Sequence, residues 1–386
     1  MSGAPDVVLV GPIPPWRSGI ADQTVRLARA ITKLGLCPMV LTFHRMYPRV
    51  LYPGAADRDE AAYPADLADV RPVLDGANPL SFRAAARLVA SLKCPLVLLP
   101  WWTAWWASHD LVFLATLGAR SPHTVKLLLC HNLVDHEGSL VKRALSRAVF
   151  QRADRFVVQN RSSVARLQEV VPGRPVSFIP HPSETRTVSP DRSGARARLG
   201  VPEGVPVFLF TGLLRPYKGW DLLLDAFGRV RSFFPDALLV FAGEAWGDAR
   251  ALRDNPAPAG VRLELRYLPA DERALWLDAC DAVVCPYRNA TGSGIAADAM
   301  AHARPVIGTR VDGLVDVIED GETGLLVPAG DRDALSDAMI RFVRDGLGPS
   351  LAAGVVAHRA RFAPEEHARL VLQAGGIDVA RIDGAP

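Results

Sequence analysis

Short, wholly apolar runs alternate with helix-period segments along most of the chain, and this alternation is what most narrows the folds open to it. Val7–Val10 is the first run. Ala21–Leu34 follows, with Val25, Ala28 and Ile31 on one helical face and Gly35 as a C-terminal stop. Met39–Thr42, Leu96–Leu99, Val125–Cys130, Phe156–Val158 and Val176–Ile179 repeat the strand pattern. Apolar runs without polar alternation predict strands buried on both faces, as parallel sheets between helical layers require. The pattern restarts after the polar segment His181–Gly194. Val207–Phe210, Leu238–Phe241, Val283–Cys285 and Pro305–Ile307 are the next strands. Asp221–Phe234, with Leu224, Phe227 and Val230, and Ala296–His302 are the helices between them. The expectation is α/β: two doubly wound domains facing a central cleft. Residues 1–185 form the first and 195–355 the second, and 356–386 close the chain with a frayed tail. Ligands of such sheets bind at the carboxyl ends of strands.

Composition removes other classes. The 386 residues are 49% hydrophobic and 22% charged, which suits a globular enzyme. A formal net charge of +3 gives no strong affinity for polyanions, so nucleic acid is not an expected partner. Cys37, Cys94, Cys130, Cys280 and Cys285 form no CxxC pair, and buried reduced thiols are the expectation. There is no basic leader before Val7–Val10 and no apolar stretch of membrane-spanning length, so a cytoplasmic protein is expected. HExxH, GxSxG, GxxxxGK[ST] and GxGxxG are all absent.

Four loops at expected strand ends carry candidate chemistry. Gly212-Leu213-Leu214-Arg215-Pro216-Tyr217-Lys218-Gly219 places two cations three residues apart between a strand and a helix. Arg binds a diphosphate with a planar fork and Lys as a point charge. An exposed basic turn has the same sequence. Ala290-Thr291-Gly292-Ser293-Gly294-Ile295 precedes another helix, whose first N–H groups and dipole favour an anion. Asp298 lies one turn further on, where a carboxylate would accept ribose hydroxyls. Gly11 to Gly19, ending in Ser18-Gly19, follows the first strand and is placed to touch a phosphate or a sugar. His131 ends the run Val125–Cys130 on the ligand edge, with His136 and Glu137 close behind. Base and sugar contacts fall to variable loops such as Gly243-Glu244-Ala245-Trp246, from which Glu244 is a donor-binding candidate.

These segments resemble the family 4 glycosyltransferases. Gly212 to Gly219 is similar to their G-x-(x)-R-x-x-K-G donor loop. Ala299-Met300-Ala301-His302-Ala303-Arg304-Pro305-Val306-Ile307-Gly308-Thr309 resembles EAMACGKPVIAT, and Gly313 to Val327 resembles their following G-G…G-x-T-G-x-L-V stretch. More loosely, His131 to Glu137 resembles an H-N-x-x-x-H-E run. The resemblance implies a GT-B fold of two Rossmann-like domains, with a last helix, Phe362–Leu372, crossing back to the first. It implies a retaining transferase that uses a nucleotide-sugar, linked to UDP or GDP, without an essential metal or other cofactor. Arg215 and Lys218 would hold the diphosphate. Ser293, Gly294 and Ile295 would add backbone N–H groups, Asp298 would hold the ribose, and His131 would lie near the reacting carbon. The family's E-x7-E pair is here Ala290 and Asp298, similar to a subgroup with A-T-x-S-G, which leaves open how the sugar hydroxyls are held.

The resemblance implies a glycan, lipid-linked or small-molecule acceptor and does not choose among them. Trp101-Trp102-Thr103-Ala104-Trp105-Trp106 suits sugar stacking or a packing cluster, with packing favoured. Val141–Arg155 interleaves Lys142, Arg143, Arg147, Arg152 and Arg155 with apolar positions and suits a surface helix or weak contact with an anionic membrane. Two rival readings are a GT-B epimerase of a UDP-sugar, which needs cleft carboxylates, and a degenerate binding subunit suggested by Ala290.

Overall fold

A computed structural model describes residues 4–47, 58, 63–133, 140–182, 191–254 and 256–379. The chain divides into two units, Met1–Pro180 with Pro364–Pro386, and His181–Ala363. The sequence boundaries were 185–195 and 355/356.

The first unit is built on a seven-stranded sheet. Its strands are β1 (Val7–Val10), β2 (Pro38–Arg45), β3 (Val70–Asp75), β4 (Leu96–Trp101), β5 (Val125–Cys130), β6 (Arg155–Val158) and β7 (Val176–Phe178). All pairs are parallel in the order β3-β2-β1-β4-β5-β6-β7. β1 and β4 are buried at every position, which is why their sequences do not alternate. The helix Gly19–Lys33 starts on Ser18, whose hydroxyl accepts from the Ala21 N–H at 3.0 Å, and stops before Gly35 at φ 82°. The helix Pro364–Gly375 packs into this unit. Ala368, Val371 and Leu372 share a core with Val7, Leu9, Ala28 and Ile31. Lys33 reaches Glu365 at 2.7 Å, and Arg155 donates to the Ala374 carbonyl at 3.1 Å.

The second unit repeats the plan with β8 (Val207–Thr211), β9 (Leu238–Ala242), β10 (Val261–Glu264), β11 (Ala282–Cys285), β12 (Val306–Thr309) and β13 (Gly324–Val327). The order is β10-β9-β8-β11-β12-β13, again all parallel. Phe208 on β8 is fully buried between Phe227 and Phe342.

Several elements differ from the sequence reading. β3 and β10 carry no apolar run because they are edge strands that are only partly buried along most or all of their length, whereas the edge strand β13 is buried throughout. Cys37 is exposed, contrary to the expectation of buried thiols; it lies in the turn before β2, where its N–H donates to Asp6. The tryptophan segment is mainly core. Trp101 packs edge-on against Phe150, and Trp106 lies among Phe43, Tyr47 and Trp102, while Trp105 is half-exposed. On the helix Leu140–Phe150, Lys142, Arg143 and Arg147 are exposed and Val149 and Phe150 buried. Among the described residues, no helix is long and apolar enough to cross a membrane.

Because the two units have separate cores, a cavity in one should spare the other. Phe208→Ala is expected to cost about 3–5 kcal/mol. Amide exchange should quicken in β8 and β9 and stay unchanged in β1 and β4; equal loss of protection in both sheets would contradict separate cores.

Candidate functional site

In the second sheet the strand order reverses at β8. The connection after β8 leads towards β9 and that after β11 towards β12, so the two following loops part and leave a crevice at their carboxyl ends. Both candidate segments lie there.

The loop after β8 is welded to the loop after β9. Thr211 Oγ1 and the Gly212 N–H both donate to the Ala242 carbonyl, at 2.8 and 3.1 Å. The Leu214 N–H donates to Glu244 O at 2.9 Å, and the Trp246 N–H to Leu214 O at 3.0 Å. The backbones approach so closely that a Cβ on Gly243 would stand 1.9 Å from Gly212 O. On the other side, the loop after β11 clasps the turn Pro216–Lys218. The Arg288 N–H donates to Tyr217 O at 2.7 Å. The Arg288 guanidinium bonds Asp221 at 2.6 Å and also reaches Pro216 O. Gly219, at φ 67°, ends this turn, and a Cβ there would lie 2.1 Å from Pro286 O.

This clamped turn carries Arg215 and Lys218. The Arg215 guanidinium lies 4.6 Å from the centre of the Trp246 ring, and its buried Nε has no hydrogen-bond partner among the described residues. Lys218 Nζ lies 5.7 Å from the Tyr287 ring. A Cβ on Gly212 would meet both Lys218 Nζ and Ile295 Cδ1 at 3.2 Å, so the ammonium sits beside the start of the helix Gly294–Ala301. Burial pushes the Lys218 ammonium down to about 8, and Arg215 adds a smaller like-charge push.

Ser293 caps that helix. Its hydroxyl accepts from the Ala296 N–H at 3.1 Å, which leaves the Gly294 and Ile295 N–H groups as first-turn donors. The structure therefore brings together Gly212, Arg215, Lys218, Ser293, Gly294 and Ile295. Glu244 is half-buried and contributes its carbonyl to the loop ladder. Asp298 is mostly buried, and its Oδ2 lies 3.7 Å from Arg273 Nε.

In the first unit, His131 directly follows β5, and its N–H donates to Trp101 O at 2.8 Å. Its Nδ1 lies 2.9 Å from Gln159 Nε2. Burial lowers its pKa to about 4, so the imidazole is neutral at ordinary pH. His367, likewise lowered to about 4 by burial, lines one small cavity together with His131 and Gln159, and donates from Nδ1 to Pro180 O at 3.0 Å. Ser18 is engaged as a helix cap, and Gly19 opens that helix with free space around its Cα. His136 and Glu137 lie outside the described residues.

The sequence reading missed three contributors. Gln159 follows β6 directly, so its signal was its place at a strand end. Thr309 Oγ1 donates to Tyr287 O at 2.6 Å, and the Gly313 N–H to Ala290 O at 2.8 Å. Both belong to the downstream similar segments and act by shaping the loop after β11.

Residues 205–345 match the family model for glycosyl transferases group 1. A D-inositol 3-phosphate glycosyltransferase of Stackebrandtia nassauensis is 31% identical over 248 residues, 60% of this chain and 56% of that protein. The one from Nocardioides is 34% identical over 200 residues, 47% of this chain and 44% of its own. The chain thus spans about half the length of these curated relatives. The sucrose-phosphate synthase of Thermosynechococcus elongatus superposes with a TM-score of 0.72 at 19% identity, covering 95% of this chain and 98% of that one. Anabaena HepE in complex with UDP and glucose gives 0.73 at 15% identity, with the same coverage. The catalytic domain of Arabidopsis thaliana starch synthase IV, bound to ADP and acarbose, gives 0.71 at 14%, covering 98% and 100%. At such low identity these structures speak for the fold, and the chain has the GT-B fold with two Rossmann-like α/β units.

Proposed function

We propose that the protein is a retaining glycosyltransferase that moves a sugar from a UDP- or GDP-linked donor to a glycan, lipid-linked or small-molecule acceptor. The observation that carries this reading is the meeting of Arg215, Lys218 and the first-turn donors of Gly294–Ala301 at the β8/β11 crevice. As the bond between sugar and diphosphate lengthens, negative charge collects on the leaving oxygens. Fixed cations and N–H groups aimed at that charge lower the barrier without reorganising. The likeness to named glycosyltransferases, and to a fold seen with UDP and with ADP, supports a nucleotide-sugar donor.

His131 enters as a neutral hydrogen-bonding group near the transferred sugar, and Asp298 as a ribose contact. No metal is assigned a role, because Arg215 and Lys218 supply the positive charge; activity should survive chelation. Weak contact with anionic membrane rests on the exposed Lys142, Arg143 and Arg147, and absence of flotation with anionic vesicles at low salt would remove it.

Three measurements test the reading. A thermal-shift screen against UDP, GDP, ADP and their sugars should raise the melting temperature for one base, since a ligand bound only to the folded state stabilises it. Incubation with that donor alone should release nucleoside diphosphate slowly; isomerised sugar would indicate an epimerase, and binding without turnover a degenerate subunit. Lys218→Ala should lower kcat at least about 100-fold while the protein stays folded.

The pH dependence follows from Lys218. Its ammonium is charged below about 8 and is lost as pH rises through that value. A diphosphate favours the charged form, so donor binding above about 8 takes up a proton. The value of kcat/KM should therefore fall on the alkaline side with a midpoint near 8, and no limb should appear near the ordinary histidine value, because His131 is held near 4. A flat alkaline profile would contradict a working Lys218 ammonium.

A further inference from the structure

Most charged arginines of the second unit meet a carboxylate. Arg192 and Arg196 share Asp281, Arg266 meets Glu272, Arg288 meets Asp221 and Arg310 meets Asp320. Some do not: Arg253 and Arg304 bond backbone carbonyls. Arg215 and Lys218 likewise have no carboxylate partner among the described residues. Each faces an aromatic ring instead, Arg215 on Trp246 at 4.6 Å and Lys218 on Tyr287 at 5.7 Å.

The backbone that carries each ring is held in place. The Trp246 backbone N–H donates to Leu214 O, and Leu214 and Ala245 form a parallel bridge, so the segments bearing ring and guanidinium are adjoining extensions of β9 and β8. Tyr287 is buried; its carbonyl is anchored by Thr309, and its hydroxyl lies 3.5 Å from Ser293 Oγ. A ring face attracts a cation through its quadrupole and leaves the net charge intact. A carboxylate would fix the cation equally well but would neutralise it and compete with an incoming anion.

We propose that Trp246 and Tyr287 are positioning residues that hold Arg215 and Lys218 preorganised, with their charge uncompensated, for the diphosphate of a nucleotide-sugar. The proposal rests on the transferase reading and adds to it the groups that aim the two cations.

The test is the dissociation constant of UDP, GDP and ADP for the full chain by titration calorimetry, following the tightest of the three through a variant series. Trp246→Leu keeps an apolar side chain but loses the ring face, and is expected to weaken binding about tenfold. Trp246→Phe keeps a ring and should remain within about threefold of wild type. Trp246→Glu places a carboxylate against Arg215 and should bind more weakly than Trp246→Leu. Tyr287→Phe should bind as wild type and Tyr287→Leu more weakly; if Tyr287→Leu does not fold, the Trp246 series decides. Wild-type affinity in Trp246→Leu overturns the proposal. So does a loss in Trp246→Phe equal to that in Trp246→Leu, or binding by Trp246→Glu as tight as wild type. If the wild type binds none of the three nucleotides, the diphosphate reading itself falls, and the aromatic support with it.

Discussion

The site depends on β8 having parallel neighbours whose connections leave in opposite directions. A parallel strand needs a helical crossover to reach its neighbour, and crossovers of one hand place successive helices on opposite faces once the strand order reverses. At β8 and β11 this reversal parts two loops at the carboxyl edge. The crevice is a product of topology. Local chemistry then decides what fills it: a clamped basic turn on one side and a capped helix start on the other.

Rigidity in that turn comes from backbone contacts more than from side-chain ion pairs. The loops after β8 and β9 are joined by Leu214–Glu244 and Trp246–Leu214 hydrogen bonds, and the loop after β11 grips Tyr217 and Pro216 through Arg288. Such bonding lets the turn hold two cations three residues apart without carboxylates beside them. The electrostatic cost is visible at Lys218, whose ammonium is depressed by burial. A buried charge that lacks a counter-ion is expensive to keep and attractive to an anion.

Much of this was legible in the sequence. The interior strands announced themselves because β1, β4, β8 and β11 are buried on both faces and so carry unbroken apolar runs. β3 and β10 did not, since these two edge strands are only partly buried and their pattern blurs. The basic turn and the Ser293 cap were readable from their places between a strand and a helix. That the two would act on one ligand came from the family resemblance; the close approach of Lys218 and Ile295 at Gly212 did not, because it depends on strand order, which no local pattern encodes. Gln159, Thr309 and Gly313 were missed for a related reason. Their contributions are single hydrogen bonds to residues 22 to 28 positions away, such as Thr309 to Tyr287 and Gln159 to His131.

The helix Pro364–Gly375 has a further consequence for how the molecule is made. Its Ala368, Val371 and Leu372 complete the core that Val7, Leu9 and Ile31 begin, although the whole second unit is translated between them. The second unit is one continuous stretch, His181–Ala363, and can close as it leaves the ribosome. The first unit must wait with an apolar face open until the distant helix arrives. Assembly during synthesis therefore runs against the usual N-terminal-first order, and the earliest residues are the last to be fully packed.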